Sequence, residues 1–317
     1  MRNILNNFIY RFKYNYGRYL NLETPIDVTL ELSSFCNAKC AYCYHADKKI
    51  KFKKGHMPKQ IALKILRQAR ELQVPSVKFN FKGESTLNPY YSEILLEAKK
   101  LSTDYIFQDR IVNSNFGFIK NKDEILNALT TVSKVKVSLD SLTKEVYEQQ
   151  RPGILHEVVL KNIDDFYALK KHDKNNILII QAVRTQLNKD EDLKTLIKSR
   201  WPKALISIRD MVGGRCESDL TNLEVKSREF KKRIPCKQAF ARLIFDYEGN
   251  ATMCCPDIEN NLCLGNVNER HLYGLFNSDK AIKIRKDILN GLAFLYSPCN
   301  NCSSFESYGG YKGSWKS

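Results

Sequence analysis

The stretch DVTLELSSFCNAKCAYC, residues 27–43, decides how the rest of this chain is read. Its first six residues, Asp27 to Leu32, alternate polar and apolar side chains with the period of two that marks a strand. They run directly into a loop carrying Cys36, Cys40 and Cys43. A structural zinc site normally closes its shell with four protein ligands. A cubane iron–sulfur cluster has four irons, so three cysteines leave one iron open to a substrate or cofactor.

Downstream of that loop, short strand-like runs alternate with longer helical patterns. Strands are expected at Val77–Phe81, Tyr105–Val112, Val135–Leu139, Ile177–Val183 and Leu205–Arg209. Helices are expected at Met57–Leu72, Tyr90–Leu101, Lys120–Leu129, Lys144–Gln150, Ile154–Lys171 and Asp190–Ser199. Six strand–helix alternations imply a parallel sheet, open or forming an incomplete barrel. In such sheets the chemistry sits at the carboxyl ends of the strands. The loops there are polar: Lys82-Gly83-Glu84-Ser85 after the second strand, Asn113-Ser114-Asn115 after the third, and Ser138-Leu139-Asp140-Ser141 after the fourth, with Arg151 one short helix later. The fifth carries Gln181 and Arg184.

The composition permits metal chemistry. At 317 residues and 43% hydrophobic content, the chain can bury a large core with a smaller unit beside it. Ten cysteines in a chain of this length do not make a secreted disulfide framework. No signal peptide and no apolar run of membrane-spanning length is visible, so a reducing cytoplasm is the expected compartment. The net charge of +16 favours an anionic small-molecule substrate, nucleic acid or an acidic surface, although a solvated lysine-rich exterior gives the same sum. Residues 1–20 place Leu5, Phe8, Ile9, Phe12, Tyr16 and Tyr19 at near-helical spacing among basic residues. That pattern suits a helix packed beneath the main domain or one lying on a membrane surface.

The loop Cys36, Cys40, Cys43, with Tyr42 before the last cysteine, resembles the CxxxCxxC signature of the radical S-adenosylmethionine superfamily. That resemblance implies an α/β fold, a partial (β/α)6 barrel whose three thiolates hold a [4Fe–4S] cluster with S-adenosylmethionine on the open iron. It also implies an external electron donor such as flavodoxin or ferredoxin. Gly83 and Glu84 resemble the second and third positions of the family's GGEP motif, which meets the methionine amino group. Lys82 and Ser85 depart from the first glycine and the proline. Ser138 and Arg151 resemble the family's cofactor-contacting serine and arginine, and Tyr42 would lie near adenine.

A second cysteine pattern lies downstream. Cys236 is followed by Gly249, then Cys254, and finally by Cys299-Asn-Asn-Cys302. Four thiolates suit a closed cluster or zinc. Leu243–Tyr247 and Ala251–Met253 around Glu248-Gly249-Asn250 read as a small hairpin. The pattern resembles the start of a SPASM domain, and the lack of cysteine after Cys302 resembles its shorter relative, the twitch domain. The resemblance implies one auxiliary [4Fe–4S] cluster on Cys236, Cys254, Cys299 and Cys302. The expected organisation is a helical extension over 1–26, a core barrel over 27–210 and a twitch-like auxiliary domain over 211–317.

Cys216, Cys255 and Cys263 remain, and free cysteine is commonly a small buried hydrophobe. In radical S-adenosylmethionine epimerases a lone cysteine returns a hydrogen atom, and Cys216 is the candidate for that role. Cys255 is an alternative to Cys254 as ligand. Asp246 and Glu248 flank the hairpin as candidate bases or solvated turn residues, and the five histidines show no ligand spacing. Three functions follow: oxidation of a sugar- or aminocyclitol-like alcohol, epimerisation or peptide modification, and zinc-dependent nucleic-acid binding. Residues 1–26 are short for a peptide-gripping module, and no basic–aromatic nucleic-acid reader is present. Oxidation is the preferred expectation.

Overall fold

The computed structural model of the protein describes residues 2–46, 50–170, 176–211, 235–300 and 302. Eight strands make one sheet: β1 (Asp27–Leu30), β2 (Ser76–Lys78), β3 (Asp109–Ser114), β4 (Lys134–Ser138), β5 (Ile177–Arg184), β6 (Leu205–Asp210), β7 (Arg242–Phe245) and β8 (Ala251–Thr252). Their order is β6-β5-β4-β3-β2-β1-β7-β8, parallel throughout except for the β7–β8 hairpin. Between β1 and β6 run helices α2 (Lys59–Glu71), α3 (Tyr91–Lys100), α4 (Lys122–Thr130), α5 (Lys144–Gln150), α6 (His156–Leu169) and α7 (Leu193–Arg200), after an N-terminal α1 (Arg2–Tyr16). The fold is the expected partial (β/α)6 barrel with a small C-terminal unit.

Several element boundaries shift by two or three residues, and the third strand moves furthest. The third strand starts at Asp109 rather than Tyr105, because residues 103–107 form a turn. Thr103 N–H donates to the Ile106 carbonyl at 2.9 Å, and Phe107 takes a positive φ of 48°. The hairpin forms where expected, but β7 also pairs in parallel with β1, Asp27 opposite Arg242 and Leu30 opposite Phe245. The C-terminal unit therefore continues the barrel sheet.

A parallel sheet buried on both faces normally reads as continuous apolar runs. These strands alternate, and the register shows why. Val28 and Leu30, Val77 and Phe79, Val135 and Val137, and Leu243 and Phe245 are all fully buried on the face that packs the helices. The opposite parity puts Asp27, Thr29, Ser76, Lys78, Lys134, Lys136 and Arg242 on the concave face. There Asp27 is clamped by Lys78 at 2.7 Å and Arg242 at 2.8 Å. Burial would raise its pKa, but those two cations outweigh burial and hold it at about 2. Burial pushes Lys136 of β4 down, and Arg209 of β6 and Arg242 of β7 add to that shift. Charges on three non-adjacent strands thus meet across one polar lumen.

The N-terminal segment packs onto the main body. Arg242 donates to Tyr14 Oη at 3.1 Å, Lys237 donates to Asn15 Oδ1 at 2.9 Å, and Arg18 donates to the Pro235 carbonyl at 3.4 Å. Phe8, Phe12, Tyr16 and Tyr19 remain exposed. Among the described residues no helix is long and apolar enough to cross a membrane.

Candidate active site

The cysteine loop leaves the carboxyl end of β1 and is held from three sides. Lys39 N–H donates to the Pro152 carbonyl at 2.8 Å and Ala41 N–H to the Gln150 carbonyl at 3.0 Å, which ties it to the segment after α5. Asn37 donates to the Gly117 carbonyl at 3.0 Å and accepts from Asn115 at 2.7 Å, which ties it to the loop after β3. Behind it lies Gly83: a Cβ there would stand 2.3 Å from the Phe35 carbonyl oxygen and 2.5 Å from that of Ser33. Only glycine lets the loop after β2 approach that closely.

Two N–H donors reach the thiols. Arg151 Nη1 lies 3.5 Å from Cys40 Sγ, and Asn115 Nδ2 lies 3.9 Å from Cys36 Sγ. Burial, with Glu84 adding to it, pushes the Cys36 thiol up to about 11. Burial also raises Cys40, against the opposing charge of Arg151. Thiols in this setting stay protonated until a cation stabilises the thiolate, as a metal does. A buried and a half-buried thiol, each with an N–H donor near its sulfur, fit the chemistry of a thiolate-held cluster. Among the described residues no three His, Cys, Asp or Glu side chains converge on a point that suits a single metal ion.

The other expected residues fall around this loop. Arg151 is buried and forms a two-point pair with Asp140, Nε to Oδ2 at 2.7 Å and Nη2 to Oδ1 at 3.1 Å. Tyr42 donates to the same carboxylate, and the Arg151 guanidinium lies over its ring at 5.6 Å. Glu84 is buried beside Cys36, and its carboxylate is already engaged. It accepts from Asn115 N–H at 2.7 Å, from Thr86 Oγ1 at 2.9 Å and from Thr86 N–H at 3.3 Å. Burial raises its pKa, and these donors oppose the rise. Ser138 ends β4 opposite Gln181 on the lumen face.

Sequence reading missed Asp140 as a site residue, although it sits in the quoted Ser138–Ser141 loop. Besides Arg151 and Tyr42 it accepts the Val183 N–H at 2.8 Å, so it joins β4, β5 and the cysteine loop. An acidic residue at a strand end followed by a lone arginine was its only signal. Lys82 stands in the sequence only as a departure from a motif. It is buried, its Nζ lies 3.8 Å from Glu31 Oε2, and its carbonyl accepts from Tyr44 and from His45.

The second thiol set is gathered beside the β7–β8 hairpin. Burial pushes Cys236 up to about 11, with Cys302 and Cys255 adding to it. Cys254 is raised by burial and then by Cys255, Cys299, Cys236 and Cys302. Cys254 thus feels the charge of the other three expected ligands and of Cys255. Cys302 N–H closes onto the Cys299 carbonyl at 3.3 Å. Cys263 turns its thiol to the Gly265 carbonyl at 3.9 Å. Asp246 organises the turn, accepting from Glu248 and Asn250 N–H groups at 3.0 and 2.9 Å. Cys216 lies outside the described residues.

The chain matches two family models, one described as the radical SAM superfamily over residues 30–196 and one as an iron–sulfur cluster-binding SPASM domain over residues 236–303. It is 22% identical over 279 residues to an S-adenosyl-L-methionine-dependent 2-deoxy-scyllo-inosamine dehydrogenase of Niallia circulans, covering 87% of this chain and 92% of that protein. Among solved structures it resembles BtrN in complex with AdoMet and 2-DOIA, with TM-score 0.55, 19% identity, and 88% and 92% of the two chains covered. It also resembles native anSMEcpe with bound AdoMet, with TM-score 0.63, 16% identity, and 91% and 89% covered. Streptococcus suis SuiB bound to S-adenosylmethionine gives TM-score 0.64 and 15% identity, with 87% and 70% covered.

Proposed function

The chain belongs to the radical S-adenosylmethionine superfamily, and from that premise we propose that it dehydrogenates an alcohol carbon of an aminocyclitol-like small molecule. The feature that supports this reading is the pair of cysteine groups, Cys36, Cys40 and Cys43 in the loop after β1, and Cys254 just after β8 with Cys236, Cys299 and Cys302 near enough to raise its thiol. An oxidation must discharge an electron from substrate, and a closed second cluster is a suitable acceptor.

Cys36, Cys40 and Cys43 would hold the cluster that binds S-adenosylmethionine. Cys236, Cys254, Cys299 and Cys302 would hold the auxiliary one. When bound, these groups supply one-electron hydrogen-abstraction chemistry at an unactivated carbon. The chain's own residues prepare the place for it. Arg151 sets a positive charge beside the Cys40 sulfur, and Asp140 fixes the guanidinium. Gly83 admits the loop after β2, Glu84 joins that loop to the one after β3, and Tyr42 and Ser138 would contact the cofactor. Glu84 would exchange a donor from Thr86 for the cofactor's ammonium group. We divide the chain into a 27–210 core, preceded by the 1–26 extension, and a 211–317 auxiliary unit joined through the β1–β7 pairing. The positive surface implied by a net charge of +16 suits an acidic electron donor of the flavodoxin or ferredoxin type.

Anaerobic turnover with S-adenosylmethionine, a reductant and 2-deoxy-scyllo-inosamine tests the reading. Product lighter by two hydrogens, formed with 5′-deoxyadenosine, is the expected result. Unchanged mass with one solvent deuterium gained would instead mean epimerisation.

A further inference from the structure

The concave face carries a layer of polar residues that the cluster sites do not use. Two residues beyond the paired Thr29 and Lys78, Glu31 and Asn80 stand side by side at the ends of β1 and β2. Asn80 is likewise two residues beyond Lys78, the partner of Ile111, and so neighbours Asn113 of β3. Continued by two residues, the register sets Glu31, Asn80 and Asn113 in one row across three adjacent strands, at the end of β1 from which the cysteine loop leaves. Each holds a buried oxygen without a hydrogen-bond partner: Glu31 Oε1, Asn80 Oδ1 and Asn113 Oδ1.

Such acceptors are rarely left unmet, since a buried oxygen without a donor bears its full desolvation penalty. Glu31 is the most telling, because its side chain is 0% exposed. Its Oε2 is engaged by Tyr247 N–H at 3.2 Å and by the Lys82 ammonium at 3.8 Å, and the Lys82 backbone N–H also favours its charged form. Three acceptors in a row, one of them a carboxylate, call for a ligand rich in O–H and N–H donors.

We infer that Glu31, Asn80 and Asn113 form the substrate-holding layer of the lumen, and that they select a polyhydroxylated amine with Glu31 as the partner of its ammonium group. The inference rests on the reading above for the kind of substrate. It runs against an anionic substrate, which the net charge favours, because the amide oxygens of Asn80 and Asn113 accept and Glu31 becomes negative when it gives up its proton. The groups facing Glu31 set its titration. Burial, with Asp246 adding and Lys82 opposing, pushes it up to about 8, so the free enzyme holds a proton there at neutral pH. An arriving ammonium ion displaces that proton.

The test is anaerobic calorimetry of the full-chain, cluster-loaded enzyme with S-adenosylmethionine present. The titrants are 2-deoxy-scyllo-inosamine, scyllo-inositol and glucose 6-phosphate. The aminocyclitol should bind with release of a proton, seen by comparing buffers of different ionisation heat, and more tightly as pH rises toward 8. Glu31→Gln should weaken it by at least about tenfold and remove the proton release. Asn80→Leu should weaken it while leaving the proton release intact. Unchanged binding in Glu31→Gln, preference for glucose 6-phosphate, or binding of none of the three overturns the proposal. Binding that depends on Glu31 without any oxidation would overturn the dehydrogenase reading alone. Oxidation by a Glu31→Gln enzyme of unaltered affinity would overturn the layer alone.

Discussion

The guanidinium of Arg151 is gripped at two points by Asp140, at 2.7 and 3.1 Å, and reaches the Cys40 sulfur at 3.5 Å. Asp140 is 0% exposed and Arg151 nearly so, so neither charge has water to fall back on. A carboxylate on the β4 loop thereby positions a cation against a thiol on the β1 loop. Asp140→Asn leaves that cation without its charge partner. It should cost about 3–5 kcal/mol of stability, the scale for a broken buried pair. Denaturant unfolding measures the cost. Iron content should fall at the first cluster, while that of the auxiliary site stays unchanged.

Gly83→Ala should disturb the same loop from its other side. The added methyl would collide with the backbone oxygens of Phe35 and Ser33, and backbone cannot rotate away as a side chain does. A loss of about 1–3 kcal/mol or more is expected. Weakened S-adenosylmethionine binding should accompany it. An alanine variant that matches the parent in unfolding midpoint and cofactor affinity would show that the approach is dispensable.

The two thiol sets should be separable by iron analysis. Anaerobically prepared protein should carry about eight irons per chain. Replacing Cys36, Cys40 and Cys43 should leave about four and abolish cofactor cleavage. Replacing Cys299 and Cys302 should remove the other set, stop ketone formation and leave uncoupled cleavage of S-adenosylmethionine. Zinc in place of iron at the second set would show that it is a structural site.

Glu31 should govern part of the pH dependence of stability. Its carboxyl titrates at about 8 when folded and in the ordinary carboxylate range when unfolded. Between those values the folded chain keeps a proton that the unfolded chain has lost, so stability falls as pH rises through that window. Above about 8 the full penalty is present. Glu31→Gln should therefore match the parent near pH 4.5 and become progressively more stable than it toward pH 8. Parallel stability curves across that range would count against a buried, proton-retaining Glu31.

Much of this molecule was legible in the residues themselves. Strand–helix alternation is a local signal, because side-chain periodicity is set by the backbone of each element. The three-cysteine loop at the end of Asp27–Leu32 and the Cys236–Gly249–Cys254 hairpin were readable for the same reason. Where a local turn competed with strand propensity, as at Thr103 to Phe107, the boundary moved. What the tertiary structure alone decided depends on pairing between distant segments. The parallel match of Asp27–Leu30 with Arg242–Phe245 joins residues more than two hundred positions apart. That pairing and its neighbours choose which parity of each strand faces the lumen. Only then do Glu31, Asn80 and Asn113 become one row, and only the crossing from β4 through α5 to the cysteine loop brings Asp140 under Arg151. A strand's alternation specifies that it has two faces, but the register across strands decides which side chains share one.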